Sequence, residues 1–259
     1  MNKLRPTIKL ALFISVASIF FAACSDDDDK KSSAPSKVIT GIKVYKITDV
    51  ISYEGDIDFT YDKDKRLTGV RSNAPLATIN YSYGDNSQIS YNYSSENSPL
   101  VEMTTTLENG RSYVCKFSNQ DSPITYSYNN GGYLKSSNNN GIVLEYQWNK
   151  KNLSSITSTP RGTYNSEYKV STIANDYSLD LNTLVQCIDE RQNYVNVVNT
   201  FGQLAGILGK RSENIIEDTY YTYDYSFLQD GRLKDITLID MNNTGYSFLL
   251  HYADSDNIE

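Results

Sequence analysis

Histidine is nearly missing from this chain. His251 is the only one among 259 residues. Zinc sites need several His or Cys ligands at set spacings, and nucleophilic triads need an oriented base, so neither chemistry has the residues it requires. Cysteine is scarce as well, with Cys24, Cys115 and Cys187 alone. No Walker or dinucleotide-binding glycine pattern occurs. Basic residues are outnumbered, 24 against 31 acidic ones. Such a surface repels nucleic-acid phosphates, and nucleic acid is excluded as a partner. Long apolar runs are absent except near the start, from Leu10 to Phe21.

That run follows Lys3, Arg5 and Lys9 and ends in Ala22-Ala23-Cys24. It is shorter than the roughly 20 apolar residues of a membrane-spanning helix. Basic, apolar and small-residue segments in this order read as a secretory signal over residues 1–23. Phe21-Ala22-Ala23-Cys24 resembles the lipobox of bacterial lipoproteins, with Phe in place of the usual Leu. The resemblance implies cleavage between Ala23 and Cys24 and lipidation of Cys24, hence a membrane partner through acyl chains. An ordinary secretory signal with a chance cysteine is the alternative. Residues 24–37 carry Asp26-Asp27-Asp28-Asp29 followed by Lys, Ser and Pro, a composition that buries no core and serves as a tether. An acidic stretch behind the lipidated cysteine resembles the surface-export signal of Bacteroides-type lipoproteins; a plain solvated linker reads equally well. Loss of the signal removes three basic residues and no acid, so the net charge moves from −7 to −10. In an exported chain Cys115 and Cys187 are free to pair or to stay as buried thiols.

Residues 38–255 form one domain dominated by 22 tyrosines. Apolar residues alternate with polar ones in Ile57-Phe59-Tyr61, Ile79-Tyr81-Tyr83, Ile89-Tyr91-Tyr93, Ile124-Tyr126-Tyr128, Ile142-Leu144-Tyr146-Trp148, Tyr221-Tyr223-Tyr225-Phe227 and Tyr246-Phe248-Leu250-Tyr252. Period-two alternation places one face on a core and the other in water. From the last aromatic to the next aliphatic the step repeats: Tyr61 to Leu67, Tyr83 to Ile89, Tyr128 to Leu134 and Phe227 to Leu233, with Trp148 to Leu153 one shorter. Asp, Asn, Gly and Lys fill these gaps, as in tight hairpins. The pattern predicts a mainly β fold: a large curved antiparallel meander of roughly a dozen strands, open or partly closed like a barrel. Residues 179–210 break the alternation with helical spacing, from Leu181, Leu184, Val185 and Ile188 to Phe201, Leu204 and Leu208. One or two short helices are expected there, with Asp180 capping the start and Gly209 at the end.

Tyr177-Ser178-Leu179-Asp180-Leu181-Asn182, the stretch 204–214, and Asp230-Gly231-Arg232-Leu233, together with the lipobox and tether, resemble the Bacteroides-type lipoprotein family called domain of unknown function 4595. The resemblance implies a porin-like fold and carries over no catalytic residue, metal or cofactor. The hairpin units are similar, more weakly, to tyrosine-aspartate repeats. A membrane-spanning barrel needs strands of about 9–11 residues, longer than most runs here. The expected role is that of an outer-membrane-anchored, non-catalytic binding protein at the cell surface, for a glycan, peptide or protein. Tyr146 and Trp148 are the candidate ligand-binding residues, because exposed aromatics on a concave sheet stack on sugar rings or grip apolar ligands. An envelope hydrolase using paired carboxylates and a structural component of envelope assemblies are the alternatives. His251 is expected to face water.

Overall fold

The computed structural model describes residues 36–253, apart from 74–75, 85–87, 96–97, 119–121, 160–164 and 184–201. Ala23, Cys24, Cys187 and the tether up to residue 35 lie outside the described residues, as does most of the segment expected to be helical. Among the described residues there are sixteen strands: β1 Ile39–Ile47, β2 Ile51–Tyr61, β3 Leu67–Asn73, β4 Leu76–Tyr83, β5 Gln88–Ser95, β6 Ser98–Glu108, β7 Arg111–Phe117, β8 Ile124–Tyr128, β9 Leu134–Asn139, β10 Ile142–Asn149, β11 Asn152–Thr159, β12 Asn165–Ala174, β13 Asn214–Asp218, β14 Thr222–Phe227, β15 Leu233–Ile239 and β16 Gly245–Tyr252. The expected dozen falls short because several strands lack a clean alternation.

The strands form one antiparallel sheet in the order β13-β12-β11-β10-β9-β8-β7-β6-β5-β4-β3-β2-β1-β16-β15-β14. Each strand pairs with its sequence neighbours, and β1 pairs with β16 to join the two ends of the chain. One ladder is missing. β13 and β14 are linked by a short turn but are not paired in the sheet. Their gap is bridged by tyrosines: the Tyr225 hydroxyl donates to Glu217 Oε1 at 3.0 Å, and the Asp218 amide donates to the Tyr223 hydroxyl at 3.1 Å. The result is a sheet nearly closed into a barrel, with a single seam.

The five sequence steps identify true cross-strand partners. Tyr61 faces Leu67, Tyr83 faces Ile89, Tyr128 faces Leu134, Trp148 faces Leu153 and Phe227 faces Leu233. In four of these hairpins, and in β6/β7, the register shifts beside the turn. The extra residues are Thr68, Tyr113, Lys135, Ser154 and Lys234. A bulge of this kind turns the following side chain to the other face. Buried residues on the second strand are therefore three apart: Leu67 and Val70, Ser112 and Cys115, Leu134 and Ser137, Leu153 and Ile156, Leu233 and Ile236.

Inward residues such as Ile42, Phe59, Tyr81, Tyr91, Met103, Tyr126, Leu144 and Phe248 belong to one buried apolar cluster. Outward neighbours on the same strands are polar, as with Asn80, Ser90, Thr104 and Glu102. Asn80 and Asn92 pair across β4 and β5 at 3.1 Å. A membrane-spanning barrel has the opposite arrangement, apolar outside and polar within. Phe227 departs from its run: it is 50 % exposed on the edge strand β14. His251 pairs with Gly41 on the outer side and is half-buried, and its Nε2 is enclosed without a hydrogen-bond partner among the described residues. It lies on the face opposite the buried Tyr252, as the alternation implies, and is only partly open to water.

The repeated turns all lie at one end of the barrel, together with the start of β1 and the end of β16. Residues 175–183 and 202–213, between β12 and β13, close that end. Leu179, Leu181, Leu204, Ile207 and Leu208 among them are buried in the core. The described helical turns there are residues 181–183 and 202–204. Asp180 caps the first, accepting from the Asn182 amide at 3.2 Å and the Thr183 hydroxyl at 3.1 Å. The second ends at Gly206, not at Gly209. Gly206 has φ +73°, its amide donates to Gln203 O, and the Ile207 amide reaches Gly202 O, a paired C-terminal cap. Gly209 is required for another reason. A Cβ there would stand 2.7 Å from the Gly132 carbonyl oxygen and 2.9 Å from the Tyr128 ring.

Candidate functional site

Aromatic side chains girdle the closed end. The Tyr61 hydroxyl donates to Ile39 O at 2.8 Å, Tyr83 to Leu67 O at 2.7 Å, Tyr128 to Ser112 O at 2.6 Å and Tyr252 to Leu233 O at 2.6 Å. Trp148 does the same through its indole N–H, to Leu134 O at 2.7 Å. All five acceptors sit at register shifts, where the ladder is interrupted and a buried carbonyl needs another donor. Turn arginines cover three of the rings: Arg66 over Tyr83 at 4.4 Å, Arg111 over Tyr128 at 5.3 Å and Arg232 over Tyr252 at 4.5 Å. Burial pushes the Tyr61 and Tyr83 hydroxyls up to about 12, so they stay protonated donors.

Between this girdle and the closing segment lies a cleft of about 610 Å³. One wall is aromatic. Tyr133 and Trp148 have ring centroids 4.6 Å apart at 40°, and Tyr146 and Leu134 lie deeper. The facing wall is polar and comes from the closing segment: Asp180, Asn182, Thr183, Gln203 and Arg211. At the mouth Lys151 pairs with Glu213, and Lys210 Nζ stands 5.6 Å from the Tyr133 ring centroid. A second cleft of about 390 Å³ opens on the other side of residues 204–207, lined by Tyr61, Arg66, Tyr83 and Gln88.

Desolvation raises the pKa of Asp180; hydrogen bonds from Asn175 and Thr183 and the charge of Arg211 oppose the shift. Its Oδ1 accepts from Asn175 Nδ2 at 2.7 Å and its Oδ2 from Thr183. Asn182 ties the same wall to β13, donating to Asn214 O at 3.1 Å and accepting from the Ile216 amide at 2.8 Å. Leu-Asp-Leu-Asn at 179–182 is thus a staple: the leucines enter the core and the polar pair fixes the cleft wall.

Of the two residues expected to bind ligand, Trp148 lines the middle of the cleft, half-buried, and Tyr146 lies at its floor, 5 % exposed. Tyr133, Gln203 and Arg211 were missed by sequence reasoning. Tyr133 stands just before Leu134 at the end of a turn, and nothing in its spacing marks it. Cys115 is a free, fully buried thiol, 3.1 Å from the Tyr91 hydroxyl, and burial raises its pKa to about 11.

No family model matches the chain, and no curated protein matches it. Nineteen chains of solved structures do. One is a porin-like protein from Bacteroides uniformis, similar with a TM-score of 0.55 at 15 % identity over 84 % of this chain and 99 % of that one. At this identity the likeness concerns the fold, and the fold it indicates is the porin-like one implied by the family resemblance.

Proposed function

We propose that the chain is a lipid-anchored, non-catalytic glycan-binding protein of the bacterial cell envelope, related to the domain of unknown function 4595 lipoproteins. The observation that carries the binding reading is the cleft itself. Its Tyr133–Trp148 wall offers ring faces for sugar C–H groups, and the opposite wall offers the Gln203 amide and the Arg211 guanidinium for sugar hydroxyls. Envelope placement rests on the signal and lipobox at residues 1–24 and agrees with the source and description of the porin-like neighbour. A hydrolase needs carboxylates free to exchange protons. Here both oxygens of Asp180 accept protein hydrogen bonds and Glu213 is held by Lys151, which favours binding over turnover.

A glycan array followed by calorimetry on the hit tests this reading. Tyr133→Ala and Gln203→Ala are expected to weaken binding about tenfold or more, one or two lost contacts each. An array flat at background, or binding indifferent to both substitutions, rejects it.

A further inference from the structure

The barrel is polarised from end to end. At the cleft end the turns carry Asp, Lys, Arg, Asn and Gly. At the far end, exposed apolar side chains gather on the strand connections: Val50 between β1 and β2, Ile51 at the start of β2, Leu76 at the start of β4, Leu100 near the start of β6, Tyr220 between β13 and β14, and Met241 between β15 and β16. Ile51 is 72 % exposed and Met241 88 %. In the sheet order the β5/β6, β3/β4, β1/β2 and β15/β16 hairpins are consecutive, and the turn that links β14 to β13 across the seam comes next, so the apolar tips form an arc over one part of the rim. The β9/β10 tip, outside the arc, is Asn140-Gly141.

We propose that this arc of tips rests in the interface of a lipid bilayer, the one holding the acyl anchor, and so points the clefts away from the membrane. The inference rests on the reading of Cys24 as the lipidated residue. A side chain held out on a hairpin tip is covered only by something that reaches between tips. Lipid does so where a flat protein surface does not. Apolar side chains sink into the acyl boundary while the hairpin backbones, hydrogen-bonded within themselves, stay among the headgroups. Tyr220 suits the same boundary, as an amphipathic ring. Chain length allows it. Twelve residues can reach at most about 40 Å, and the nine-residue β1 spans about 30 Å. The chain enters the barrel at the cleft end, where Lys37 holds Asp176 and the Lys37 carbonyl accepts from Ser178. A reach of that order exceeds the length of the strand it would have to pass.

The test uses the chain from residue 24 with Cys24→Ser, which has no acyl group, and vesicles of phosphatidylcholine and phosphatidylethanolamine. The protein is expected to co-sediment with them and to remain bound at about 1 M salt, since apolar insertion is not screened. The triple variant V50N/I51N/M241N is expected to partition at least about tenfold less, with unchanged circular dichroism. Protein left in the supernatant overturns the proposal. So does undiminished sedimentation of the triple variant, or a stable dimer that the variant dissolves, which would assign the arc to a second copy. Mass spectrometry of the native N-terminus reads the anchor separately: an unlipidated Cys24 would reject the anchored reading without altering the vesicle result.

Discussion

Asp180 is the one carboxyl among the described residues whose pKa is shifted upward. Folding takes its carboxyl out of water and raises its pKa. A carboxyl raised in the folded state binds its proton more readily there than in the unfolded chain. The stability it contributes is fully present below the unfolded value of about 4 and is lost as pH rises through the folded one. Asp62, Asp230 and Asp240 behave in the opposite sense, because turn amides and arginines lower their pKa values. The informative quantity is therefore the difference between the chain and Asp180→Asn. Melting temperatures taken from about pH 4 to about pH 7 should show the parent losing ground to the variant as pH rises; parallel curves would contradict this. Cys115 gives a second residue-scale expectation. Fully buried and with its pKa raised to about 11, it should resist iodoacetamide in the folded protein and react once the protein is denatured, read by peptide mass spectrometry at that site.

At the scale of elements, the closing segment depends on two glycines with different duties. Gly206 needs only its positive φ, and a Cβ there meets open space. Gly209 needs both its positive φ and the absence of a Cβ, because backbone and the Tyr128 ring stand against it. Gly206→Ala should destabilise by about 1 kcal/mol and Gly209→Ala by about 2–4 kcal/mol, in chemical denaturation. Equal losses would mean that the contact with Gly132 carries no weight. The bulged hairpins belong to this scale too. Each bulge sets a buried pair three residues apart and is accompanied, at Leu67, Ser112, Leu134 and Leu233, by an aromatic donor on the interrupted carbonyl.

For the whole molecule the weak point is the seam. Every other neighbouring pair of strands shares a backbone ladder, whereas β13 and β14 are held by two tyrosine hydroxyls and the turn between them. An unpaired edge opens at lower free energy than a ladder within the sheet. Amides of β13 and β14 are expected to exchange faster than those of β1 and β16. Tyr225→Phe should speed exchange at the seam further while leaving β1 and β16 unchanged. Uniform protection across all four strands would show that the seam is closed in solution.

The sequence alone determined the local geometry. Alternation in Ile79-Tyr81-Tyr83 or Leu144-Tyr146-Trp148 marks strands because it follows from the two-residue repeat of an extended backbone. The recurring step from aromatic to aliphatic located the cross-strand partners, since a hairpin's turn fixes its register. The starts of β3, β9 and β15 were marked by that step, but not which of their later residues face the core. Leu67 with Val70, or Leu233 with Ile236, shows a spacing of three, because the bulge resets the alternation. Only the tertiary structure decided that Ile42 pairs with Leu250, that Tyr225 bridges to Glu217, and that Trp148 faces Asp180 and Gln203 across a cleft. Those meetings depend on twist and stagger accumulated over many strands. Residues so far apart in the chain leave no mark in any short window of it.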